Sequence, residues 1–217
     1  MDNSNKNLRM TNSGEIAASD MIVLQNFLNE NESNNNLWQE TISPLNLGFI
    51  PHSNWVSSKP MTISSLHETY FSKKNSVSRR FEHKLWNALK ITTSFPNLVK
   101  VIGVTWLNNR TIKVYKHPFA RLLNISCVDG GLFHKQGNFT RHGFVEMAEL
   151  DARNELTQEQ MADVDFRDVH LIYHQNGEFT TDSTEVTICS CRWVDPSPTP
   201  RVAALKIGNH NDHQSLE

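Results

Sequence analysis

Residues 98–115 read LVKVIGVTWLNNRTIKVY, and this stretch decides the fold class. Upstream of it the apolar spacing is helical. Val77, Phe81, Leu85 and Leu89 recur every four residues, one stripe along a helix expected over Ser76–Ile91 with Ser76 as its cap. Within the stretch the pattern changes to strand. Leu98–Leu107 is rich in β-branched residues, Asn108-Asn109 is a turn pair, and Thr111–Tyr115 alternates polar and apolar, so a hairpin is expected. Period two puts Ile112 and Val114 on the core face and Lys113 and Tyr115 on the other, outward and free for a partner.

Working outward, Asp20–Glu30 is expected as a short helix, Leu37–Pro60 as an ordered loop anchoring Trp38 and Trp55, and Thr62–Phe71 as a helix. Downstream, Pro118 fits the first turn of a helix through Leu123, and Gly130-Gly131 and Gly137-Asn138 mark turns. A strand is expected over His142–Leu150, and Thr157 with Gln160 makes a capping box. Val169–Tyr173, Asn176-Gly177 and Glu178–Thr180 form a second hairpin pattern, and Thr184–Val194 is expected as a last strand. Helices and strands alternate irregularly, which points to an α+β fold rather than to βαβ units. The division expected is a tail over 1–36, a helical basic region over 37–97, a binding domain over 98–196 and a second tail over 197–217. Asn29–Asn36, with five Asn, two Glu and one Ser, has nothing to bury in a core.

The hydrophobic fraction, 38%, is modest, and no stretch approaches the roughly 18–20 apolar residues that span a bilayer. The first residues hold no apolar signal segment, and three cysteines do not make a disulfide framework, so a reducing compartment is expected. The net charge of −2 hides an asymmetry. Ser72–Arg121 has eleven Lys and Arg against Glu82 alone, whereas His142–Asp195 has twelve acids against three Arg. Either the basic half meets an acidic partner, nucleic acid or protein, or the two halves face each other or simply provide solvated faces.

Cys189-Ser190-Cys191 would need two further zinc ligands from His134, His142, His170 or His174, but on a strand Cys189, Cys191 and Trp193 share one face as core fillers, so no metal is expected. Cys127 and Cys191 lack any signature of a catalytic nucleophile, and Gly130-Gly131 lacks a phosphate-cradling pattern. No cofactor and no enzymatic activity are expected. The cations Lys73, Lys74, Arg79, Arg80 and Lys84, with His83 among them, are nucleic-acid candidates, able to track phosphates. The hairpin combines Trp106, Leu107, Arg110, Lys113 and Tyr115, the residue types enriched at interface hot spots.

The segments VIGVTWLNNRTIKVY, FTRHGFVEM and TICSCRWVDP, within 98–196, resemble the origin-recognition-complex-interacting region of the Sir-type silencing regulators of budding yeasts. The resemblance implies a small, two-lobed, nuclear and non-catalytic adaptor that docks on the bromo-adjacent homology domain of the largest origin-recognition subunit and recruits other silencing proteins, with DNA contacted weakly or indirectly. Carried onto this chain, its partner-binding residues are Trp106, Leu107 and Arg110, with a second patch at Arg141 and Phe144. Gly103-Val104-Thr105-Trp106-Leu107 before a short helix also resembles the fungal APSES/KilA-N DNA-binding domains. That alternative implies a sequence-specific transcription regulator with the basic helix in recognition or its support.

Overall fold

The computed structural model describes residues 36–191. The expectations for 1–35 and 192–217, including the Asp20–Glu30 helix and the face shared with Trp193, lie outside the described residues.

After a helical turn over 36–39 comes a small antiparallel pair, β1 (Thr41–Ile42) and β2 (Met61–Thr62). The loop between them buries Trp55, which meets Phe49 and Tyr70 edge-on at 5.2 and 5.0 Å. Thr62 then caps α1 (Ile63–Leu66) by accepting from Ser65 N, and the helix widens into a π turn over His67–Phe71.

The central element is α2 (Phe81–Ser94), which starts five residues later than the spacing predicts. Ser76 does not cap it, and Val77 is 91% exposed outside it. Nor is α2 amphipathic as expected. Every residue from Phe81 to Leu89 is buried, including Glu82, His83, Lys84 and Asn87. A helix sunk on all sides must satisfy each polar side chain individually. Asn87 does so with three bonds: it accepts from Ile50 N and donates to Ile50 O and Tyr70 Oη, each at 2.8 Å.

Leu98–Leu107 is not one strand. Pro96 opens a 3-10 turn, α3 (Val99–Ile102) follows, and Gly103 ends it with φ +81°. A Cβ at Gly103 would stand 2.2 Å from Phe119 N, so only glycine fits where the following helix crosses. The strand proper is β3 (Val104–Trp106), paired in a hairpin with β4 (Thr111–Tyr115). Asn108 Oδ1 closes the expected turn by accepting from Arg110 N and Thr111 N at 3.0 and 2.7 Å.

Next come α4 (Lys116–Leu122), α5 (Val128–Leu132), which absorbs Gly130-Gly131 into a helix, and α6 (Asn138–Arg141). The strand expected over His142–Leu150 is only β5 (Phe144–Glu146), because α7 (Glu149–Glu155) begins at its end. The capping box of Thr157 and Gln160 forms as expected and starts α8 (Gln158–Met161). β6 (Val169–His174) is the strand predicted, but Glu178–Thr180 does not return beside it; Thr180 N instead donates to Ser183 Oγ in a turn. Thr184–Val194 is also corrected. Thr184 accepts from Thr187 N and caps α9 (Glu185–Ser190), a helix in spite of its β-branched residues.

The main sheet is antiparallel, in the order β3-β4-β6-β5. One hydrophobic core spans the 97/98 boundary, uniting Phe81, Leu85 and Leu89 with Ile112, Val114, Ile172 and Ile188. A second cluster, Met147, Ala152, Val169 and Leu171, covers the other face with Tyr115, Met161 and Phe166 packed against it. The architecture is α+β.

Candidate nucleic-acid interface

Between the π turn and α2 runs the loop Ser72–Arg80, SKKNSVSRR, with four cations and no acid. Ser76 N donates to Arg79 O at 3.3 Å and Arg79 N to Ser76 O at 3.0 Å, so the chain reverses tightly with Val77 and Ser78 at its tip. Asn54 Nδ2 holds that tip by donating to Ser78 O at 2.9 Å. From below, the Lys84 ammonium donates to Lys73 O. Burial, and secondarily the Arg79 charge, bring Lys84 down to about 8.

The loop's base is anchored around Glu82, which is fully buried on the first turn of α2, by an ion pair with Arg80 and a contact with His142. Arg80 Nε lies 2.9 Å from Glu82 Oε1, and His142 Nδ1 lies 3.2 Å from Glu82 Oε2. A buried carboxylate is tolerated only when so compensated. Arg80 also reaches His83 Nε2 at 3.0 Å and Cys189 O at 3.4 Å. Burial, then the Arg80 charge, lowers the His83 pKa.

The five basic candidates therefore separate. Lys73 and Lys74 are exposed and Arg79 is half-exposed, whereas Arg80 turns toward Glu82 and Lys84 is buried. As nucleic-acid candidates the last two are not on an outer basic face; they hold the loop that carries the first three. Beside this loop lies a cleft of about 300 Å³ lined by Lys73, Lys74, Asn75, Lys84, Asn124 and Asn138. Cationic and amide donors around a concave surface suit phosphate oxygens.

The hairpin is placed differently from the expectation. The parity was right, since Ile112 and Val114 face the main core, but the opposite face is not free. Lys113 pairs across the sheet with Leu171 and Tyr115 with Val169, both under the second cluster. Lys113 is 7% exposed, and burial lowers its pKa while raising that of Tyr115. Trp106 and Leu107 are half-buried against the two clusters. Arg110 is exposed, ion-paired with Glu155 at 3.0 Å and set over the Tyr173 ring. Phe144, 2% exposed, is a core residue against Phe139 and Phe179, and Arg141 is half-buried with partners of its own.

The acidic half supplies this cover, through Arg110–Glu155, Lys116–Asp168 and the Asp163 charge acting on Lys113. Part of the charge asymmetry is thus met within the chain, and among the described residues Lys73, Lys74 and Arg79 of the loop stand outside that pairing. Sequence reasoning missed the tip. The signal was present in Asn75-Ser76 and Ser78, turn-forming residues on both sides of a single valine.

Among the described residues no helix is long and apolar enough to cross a membrane. No curated protein and no solved structure matches the chain. The Sir-type resemblance finds no support in these comparisons. A family model does match: the transcription-initiator DNA-binding domain, IBD, over residues 56–165, just over half of the 217-residue chain and inclusive of the whole basic loop. The chain belongs to the family of transcription-initiator DNA-binding domains.

Proposed function

We propose that this protein is a non-enzymatic, nuclear transcription regulator that grips duplex DNA through the loop Ser72–Arg80. The observation that carries the reading is the braced presentation of Lys73, Lys74 and Arg79 around the exposed tip at Val77, inside the family match. The two lysines and Arg79 contact phosphates and set the register, while the apolar tip meets sugar or base edges in a groove. Arg80, Glu82 and Lys84 hold the loop's shape, so that little conformational entropy is lost when DNA binds. This is close to the DNA-binding alternative drawn from the sequence, with the loop before the helix, rather than the helix face, as the contacting element.

The adaptor reading has one favouring observation, the exposed Arg110 beside half-exposed Trp106 and Leu107. In that reading the hairpin docks on the bromo-adjacent homology domain of the origin recognition complex and serves transcriptional silencing.

Anisotropy titration of labelled duplex DNA with the full chain tests the first reading. Lys73→Ala with Lys74→Ala should weaken binding at least tenfold, and Arg110→Ala should leave it unchanged. Equal binding by the wild type and the double variant overturns the loop assignment. Loss with Arg110→Ala alone moves the contact to the hairpin.

A further inference from the structure

Away from the basic loop, the end of β6, the turn after it and the end of α9 bring three unlike donors together. One ligand atom each from His174, Glu178 and Cys191 lies within 4.8 Å of the others. His174 and Cys191 are buried and Glu178 is half-buried. We propose that these three side chains form a zinc site that clamps α9 onto the turn following β6, with a water completing the tetrahedron.

The donor set is nitrogen, oxygen and sulfur, the combination that zinc accepts with tetrahedral geometry. Zinc bonds of about 2.0–2.3 Å put tetrahedral ligand atoms about 3.3–3.8 Å apart. The three atoms need to close by an ångström or so, within reach of side-chain rotation.

His174 Nδ1 accepts from Glu178 N at 3.3 Å, and a backbone N–H only donates, so Nδ1 carries its lone pair toward the turn. A metal would take that lone pair in place of a long hydrogen bond. Phe144 stands edge-on to the His174 ring at 5.2 Å and closes that flank from water.

Glu178 brings a carboxylate and Cys191 a thiol to the same point. A divalent cation offsets one thiolate and one carboxylate, and binding releases the thiol proton. Cys189 is not part of the site. Its sulfur lies 3.4 Å from His83 Nε2 instead, which makes it an internal control. The proposal does not depend on DNA binding.

The test is Co²⁺ titration of the metal-stripped full chain, followed by Zn²⁺ competition and by metal analysis of protein purified without a metal-affinity tag. One equivalent of Co²⁺ should produce tetrahedral ligand-field bands with thiolate charge-transfer absorption, and Zn²⁺ should bleach both. Cys189→Ser should keep the spectrum and Cys191→Ser should lose its charge-transfer band. Because Cys191 is buried and its variant can misfold, Glu178→Gln is the second arm. Its Zn²⁺ affinity should fall by at least the roughly 10–100-fold typical of losing a residue that merely supports a ligand. A folded wild type that gives no thiolate–cobalt band overturns the proposal. So does a band that depends on Cys189 rather than Cys191, or Glu178→Gln binding at wild-type strength.

Discussion

Lys84, 3% exposed inside α2, donates its ammonium to the carbonyl of Lys73, eleven residues earlier in the chain. A buried cation thus fixes the loop that presents exposed cations. Helix and loop are coupled through this contact and through Arg80–Glu82, and both contacts sit where sequence spacing alone places an outward basic face.

Lys84 makes the stability pH-dependent in a defined window. Its pKa is about 8 in the fold against 10.5 as the ordinary value. Below about pH 8 both folded and unfolded chains hold the proton, and the fold bears the full cost of burying it. Above about 10.5 neither state does, so this contribution improves stability as pH rises from about 8 to 10.5. Urea unfolding of the wild type and Lys84→Met across that window should diverge, with the alkaline gain missing in the variant. Parallel curves would show that Lys84 is not desolvated.

Glu82→Gln keeps the shape and removes the charge that compensates Arg80 and meets His142. The expected cost is about 3–5 kcal/mol, the range for breaking a buried ion pair. Chemical denaturation measures it, and a loss below 1 kcal/mol would mean that water reaches the pair.

Tyr115→Ala should destabilise the fold by about 2 kcal/mol, less than a fully buried aromatic because the ring is half-exposed. That lowers the melting temperature by about 2–4 °C per kcal/mol. Arg110→Ala removes only an exposed pair with Glu155 and should cost under about 1 kcal/mol. Comparable melting temperatures for the two variants would contradict the burial of the Tyr115 face.

What was legible in the sequence was local. The Asn108-Asn109 hairpin, the Thr157 capping box, the helix at Pro118 and β6 are each set by turn or cap chemistry within a few residues. What the spacing misplaces depends on other parts of the chain. The face of Lys113 is covered by the second cluster, which draws on α7 and α8 some forty residues on; Lys84 turns to the Lys73 carbonyl, and His83 meets Cys189 of α9. The Thr184–Val194 region misled because β-branched propensity was weighed above the Thr184 cap. In the loop, the spacing marks Lys73 and Lys74 as cations but puts Val77 on the core stripe, because its period fits a helix that in fact begins at Phe81.

Val77→Glu separates stability from binding. The side chain is 91% exposed, so stability should stay within about 0.5 kcal/mol of the wild type. A carboxylate at the tip should weaken DNA binding by repelling phosphates. Thermal melting and anisotropy together check this; unchanged DNA affinity would take the tip out of the interface.

The salt dependence of DNA affinity is the most direct test that the loop grips phosphates. Log Kobs for duplex DNA should fall linearly with log salt, with a slope of about −0.9 per phosphate neutralised. Lys73→Ala and Lys74→Ala should each make that slope shallower by about 1, and together by about 2. The same slope in wild type and double variant, at whatever affinity, would contradict the assignment of the loop Ser72–Arg80 as the DNA contact.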